Sequence, residues 1–84
     1  MNFRKWLFQI IKDNCHVYEQ DEIYTIIRTL FKDAGLYFSM DTFDKYDRGI
    51  MPNSRLLRQI YCLFPEEKRR EERIKIDKLF TETT

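Results

Sequence analysis

Glycine and proline are scarce in this chain: two of each among 84 residues, at Gly35, Gly49, Pro52 and Pro65. That scarcity excludes a flexible linker or a low-complexity tract, and no internal repeat is visible. Cysteine occurs only as Cys15 and Cys62, too few for a disulfide framework, and a reduced, cytoplasmic setting is expected. Nothing at the N-terminus reads as a cleaved signal, because Phe3–Ile11 is short, carries bases and ends without a small-residue site. No run approaches the roughly 18 consecutive apolar residues of a membrane helix. Histidine is limited to His16; with Cys15 and distant Cys62 it falls short of the four ligands zinc wants, so neither metal nor cofactor is expected. Phosphate-cradling glycine loops, G-x-S-x-G and EF-hand patterns are missing too, and the chain is read as non-catalytic.

Net charge is also nearly absent. The formal value is +1, and it is spread evenly: residues 1–35 hold five bases and five acids, 36–64 four and three, 65–84 six and six. A basic stripe, the usual footprint of a nucleic-acid binder, does not show in the linear order and would have to arise by folding.

Apolar residues at 43%, with aromatics at 15%, supply a core for one domain of this length. Their spacing is helical. From about Asn2 to Asp13, Phe3, Trp6, Leu7, Ile10 and Ile11 fall on one arc, with Phe8 off it between Arg4 and Lys12. Phe8 either widens the buried stripe or anchors a partner. Residues 14–20 have no period and turn the chain. Asp21–Asp33 repeats the pattern through Ile23, Ile26, Ile27, Leu30 and Phe31, and Gly35 supplies a left-handed stop. A short helix capped by Ser39 or Asp41 follows, with Met40, Phe43 and Tyr46 inward, Asp41, Asp44, Lys45 and Arg48 outward, and Gly49 at its end. After Pro52-Asn53-Ser54 the stripe Leu56, Leu57, Ile60, Tyr61, Leu63 and Phe64 marks another helix, which sets Arg55 and Arg58 on its opposite face.

The last segment changes character. Pro65 suits a first helical position, and Glu66/Arg70 and Glu71/Lys75 are spaced as helical ion pairs. Ile76, Leu79 and Phe80 share a helical face, while Ile74 and Ile76 alternate as in a strand. A charged helix is preferred, its end docking on the domain or on a second subunit. The fold expected is therefore an all-α single-domain bundle of four to five helices: a core over 1–64 and a C-terminal helix or extension over 65–84 that is no independent domain.

Within that bundle, Thr42, Phe43, Asp44, Lys45, Tyr46, Asp47, Arg48 and Gly49 run in the order Thr, core apolar, polar, basic, aromatic, acid, Arg, Gly. Pro52, Ser54, Leu57 and Ile60 come next. Residues 42–63 on this pattern resemble the recognition-helix end of the Cro/phage-repressor helix-turn-helix family. The resemblance implies a small DNA-binding regulator of phage or plasmid type, working as a dimer on duplex DNA. It makes Thr42 and Asp44 candidate base readers, and Lys45, Arg48, Arg55 and Arg58 become the candidate phosphate contacts. Phe8, Ile76, Leu79 and Phe80 are candidates for the dimer or partner interface.

A second class stays open. Asp41, Asp44 and Asp47 put negative charge on the element meant to face DNA, and Phe8, Tyr18, Tyr24, Tyr37 and Phe38 are more aromatics than one small core needs. Both features suit a protein-interaction or inhibitor module built on the same helical scaffold. Lys68, Arg69 and Arg70 form a further basic cluster, offset by Glu66, Glu67, Glu71 and Glu72, and read as a solvated helix face laced with ion pairs.

Overall fold

Five helices follow one another in the computed structural model, which describes the backbone of residues 2–81 and the side chains of residues 2–78. They are α1 (Phe3–Cys15), α2 (Gln20–Asp33), α3 (Met40–Asp47), α4 (Ser54–Tyr61) and α5 (Glu66–Thr81). No strand occurs among the described residues. The expected all-α bundle is thus observed. The helix preferred for the last segment is present and the strand alternative is not.

Each helix starts or stops for a local reason. Asn2 accepts from the Lys5 amide at 3.0 Å to open α1, and Ser39, of the two candidates, caps α3 by accepting from the Thr42 amide at 3.2 Å. Asn53 caps α4 through the Arg55 amide at 2.8 Å. Gly35 and Gly49 take φ of 74° and 97° just past α2 and α3, the left-handed geometry that closes a helix most cheaply in glycine. α1 runs two residues beyond the expected Asp13, because His16 itself adopts the left-handed conformation at φ 55°. α5 begins one residue after Pro65, whose carbonyl accepts from the Lys68 amide at 2.9 Å.

α2 packs on α1 and α4, α1 on α3, and α4 on α5. The core between them holds Phe3, Leu7 and Ile11 of α1, Ile23, Ile27 and Phe31 of α2, Phe43 of α3, Leu56 and Ile60 of α4, and Ile76 of α5, all fully buried. Side chains of this size each contribute about 1.5–3 kcal/mol on leaving water. Met40 departs from expectation. It sits in the first turn of α3 and is 45% exposed, while Phe43 and Tyr46 carry the inward face.

The aromatic surplus is mostly absorbed. Phe8 stands edge-on to Tyr24 at 5.3 Å, Tyr24 to Phe38 at 6.3 Å, and Phe38 to Phe43 at 5.5 Å, so a chain of rings links α1, α2 and the α2–α3 connection to the core. Tyr18 and Tyr37 remain outside it and exposed. No helix among the described residues is long and apolar enough to cross a membrane.

Candidate nucleic-acid interface

α3 is held to α1 by its acids. The backbone amide of Arg4 donates to Asp47 Oδ1 at 2.9 Å, and the Arg4 guanidinium reaches Asp44 Oδ1 at 3.0 Å and Asp47 Oδ2 at 3.8 Å. α1 has no acidic residue in its own first turn. Asp47 supplies that charge from another helix, satisfying a free amide and offsetting the positive end of the α1 dipole. Arg4 also lies over the Phe43 ring at 5.3 Å.

This arrangement accounts for two of the three aspartates that counted against a DNA-facing α3. Asp44 and Asp47 are turned to Arg4 and the start of α1, so their charge is partly neutralised within the fold. Asp41 stays exposed in the first turn of α3, at the end of the helix where an acid is favoured.

The candidate readers are committed to the same framework. Thr42 Oγ1 lies 2.9 Å from Ser39 Oγ, inside the cap of α3, and Asp44 holds Arg4. Neither polar group projects alone from the helix.

The four candidate phosphate contacts behave differently. Lys45, Arg48, Arg55 and Arg58 are all exposed, and none makes an ion pair among the described residues. Lys45 stands in the last turn of α3 and Arg48 at its C-cap, while Arg55 and Arg58, three apart on α4, share a helix face. A Cβ placed on Gly35 would come 3.6 Å from Arg55 Nη1, which sets that guanidinium against the turn that ends α2.

Arg58 also enters a cleft that the linear order did not reveal. It faces Arg69, Arg70 and Arg73 of α5 across a cleft of about 290 Å³, with Tyr61 and Cys62 completing the lining. Arg69 is anchored there, donating to the Phe64 carbonyl at 3.0 Å and the Cys62 carbonyl at 3.4 Å. Tyr61 donates its hydroxyl to Asp77 Oδ1 at 2.9 Å. Burial, then that bond and the nearby Asp77 charge, push the Tyr61 pKa well above its ordinary value. On α5, Lys75 pairs with Glu72 at 3.4 Å and Arg73 with Asp77 at 3.9 Å. Lys75 thus takes Glu72, three residues back, in place of the expected Glu71.

The candidate interface residues divide. Phe8 is half-buried against Tyr24, the stripe-widening alternative of the two. Ile76 is 1% exposed within its own chain and packs in the core, so a partner cannot reach it while α5 is docked. The side chains of Leu79 and Phe80 lie outside the described residues. Burial raises the Cys15 thiol pKa, which disfavours the nucleophilic thiolate. No group of three potential metal ligands gathers among the described residues.

In comparisons with known proteins, no family model matches the chain, and no curated protein or solved structure matches it.

Proposed function

We propose that this chain is a small, non-catalytic regulator that binds duplex DNA through phosphate contacts from α3 and α4. The observation that carries the reading is the contrast along α3 and α4: Asp44 and Asp47 are bound to Arg4 and α1, whereas Lys45, Arg48, Arg55 and Arg58 are exposed and make no ion pair among the described residues. Neutral in sum, the chain still leaves these four cations exposed to solvent, and phosphate neutralisation with counterion release would supply the affinity.

Because Thr42 and Asp44 are tied into the cap and the α1 contact, preference among DNA sequences would come from groove shape and deformability more than from base edges at these positions. A dimer of phage or plasmid type, two copies on adjacent half-sites, would extend so short a contact. No cofactor is required. The protein-interaction reading is favoured by a separate observation, the exposed Tyr37, Ile50 and Met51, which suit a protein surface better than a phosphate backbone.

Mobility shift on random duplex and on fragments from around its own gene, at low and physiological salt, tests the proposal. The Arg48→Ala/Arg55→Ala variant should bind several-fold more weakly, with a salt dependence shallower by about 2 in log–log slope. Equal affinity and slope for variant and wild type would remove α3 and α4 from the interface, and absence of any binding at low salt would transfer the assignment to a protein partner.

A further inference from the structure

We infer that the elbow between α4 and α5 is a second phosphate-binding element, a clamp formed by Arg58, Arg70 and Arg73 that carries the nucleic-acid path from α4 onto the C-terminal helix. The inference rests on the DNA reading above and extends it to residues which that reading does not use.

Four arginines and no carboxylate line the cleft. Like charges gathered this closely repel one another, and an anion relieves the repulsion. Arg69 is already spent on the Cys62 and Phe64 carbonyls of the α4–α5 connection. Arg70 makes no ion pair among the described residues, and Arg73 keeps only the long 3.9 Å approach to Asp77, which is itself held by Tyr61. An exposed pair of that length is worth little. Arg58, Arg70 and Arg73 therefore keep planar donor groups for phosphate oxygens, the geometry that favours arginine over lysine.

A polymer suits this site better than a single small anion. The cleft adjoins a neighbouring one of about 180 Å³ that shares Arg58, Tyr61 and Arg73, reaches Ser54 at the start of α4 and includes the carboxylate of Asp77 in its lining. Together the two follow the eight residues of α4, a path of roughly 12 Å, which spans three or so base pairs at about 3.4 Å each. Arg55 lies about one helical turn from Arg58 on α4, its guanidinium resting against the turn at Gly35 outside both clefts. Of the acids of α5, Glu67 and Glu71 fall on the far side of the helix from the buried Ile76 and Glu72 is paired with Lys75, whereas Glu66 shares the side of Arg70 and Arg73, and Asp77, in the neighbouring cleft, is held by the Tyr61 hydroxyl.

The test compares wild type with Arg70→Gln/Arg73→Gln and Arg70→Lys/Arg73→Lys by fluorescence anisotropy on a short random-sequence duplex over a range of salt, with helical circular dichroism as the folding control. These exposed positions should leave the fold intact. The glutamine variant is expected to lose about 2 from the log–log salt slope while the lysine variant keeps the slope. A wild-type slope in the folded glutamine variant overturns the clamp. If Arg48→Ala/Arg55→Ala flattens the slope in the same assay, the DNA reading stands without it; if wild type does not bind duplex at all, the DNA reading has failed and the clamp with it.

Discussion

Arg4 and Asp47 are 43 positions apart in the chain, and the amide of the first donates to the carboxylate of the second at 2.9 Å. One helix thus borrows its N-terminal acid from another. Asp47→Ala should cost about 1–2 kcal/mol, the usual worth of a capping carboxylate. Asp44→Ala, which removes a largely exposed ion pair with Arg4, should cost under about 1 kcal/mol. Urea denaturation of the two variants checks the order, and equal costs would show that the guanidinium pairing, not the amide contact, holds α3 to α1.

α5 is attached through Ile76. Its side chain is 1% exposed, against 61% for Ile74 two residues earlier. Ile76→Ala should destabilise the domain by about 2–4 kcal/mol, as large-to-small changes in a packed core do. Ile74→Ala should be near neutral. A thermal melt of each variant separates a docked helix from one that merely projects.

His16 ends α1 in a left-handed conformation that costs a non-glycine residue about 1 kcal/mol or more. His16→Gly should therefore raise the melting temperature modestly, and His16→Val, whose branched side chain tolerates that conformation worst, should lower it. Differential scanning calorimetry would detect both. No shift in either variant would mean that the chain reverses here without strain.

The Tyr61 hydroxyl has its pKa raised by burial and by Asp77. With the folded pKa above the unfolded value of about 10, its stabilising effect is complete below pH 10 and is lost as pH rises from there towards the folded value. Tyr61→Phe should consequently show a smaller fall in stability between pH 9 and 11 than wild type. Urea midpoints across that window test the sign.

Much of this fold is legible in the sequence, because periodic burial is a local signal. Phe3, Leu7, Ile10 and Ile11, or Leu56, Leu57 and Ile60, announce a face by spacing alone. Met40 escapes that logic: whether a first-turn residue points in or out depends on where α3 lands. His16 escapes it as well, since a residue with no glycine-like signature takes the position of one.

The candidate site was only half legible. Exposure of Lys45, Arg48, Arg55 and Arg58 follows from helical phase, but the use of Asp44 and Asp47 depends on Arg4, some forty residues away. Arg70 and Arg73 read as members of a charge-balanced segment in one dimension. Folding sets both of them, with Arg69, along a cleft beside Arg58 of α4, a neighbour the linear order does not name.

Trp6 is the single tryptophan of the chain, 5.4 Å from Phe3, whose ring in turn lies 5.1 Å from Tyr46. An indole one ring away from α3 is an intrinsic optical gauge of a single joint. Its emission will follow separation of α1 from α3, whereas far-ultraviolet dichroism sums all five helices, so disagreement between the two signals during denaturation would expose a partly opened state of this small domain.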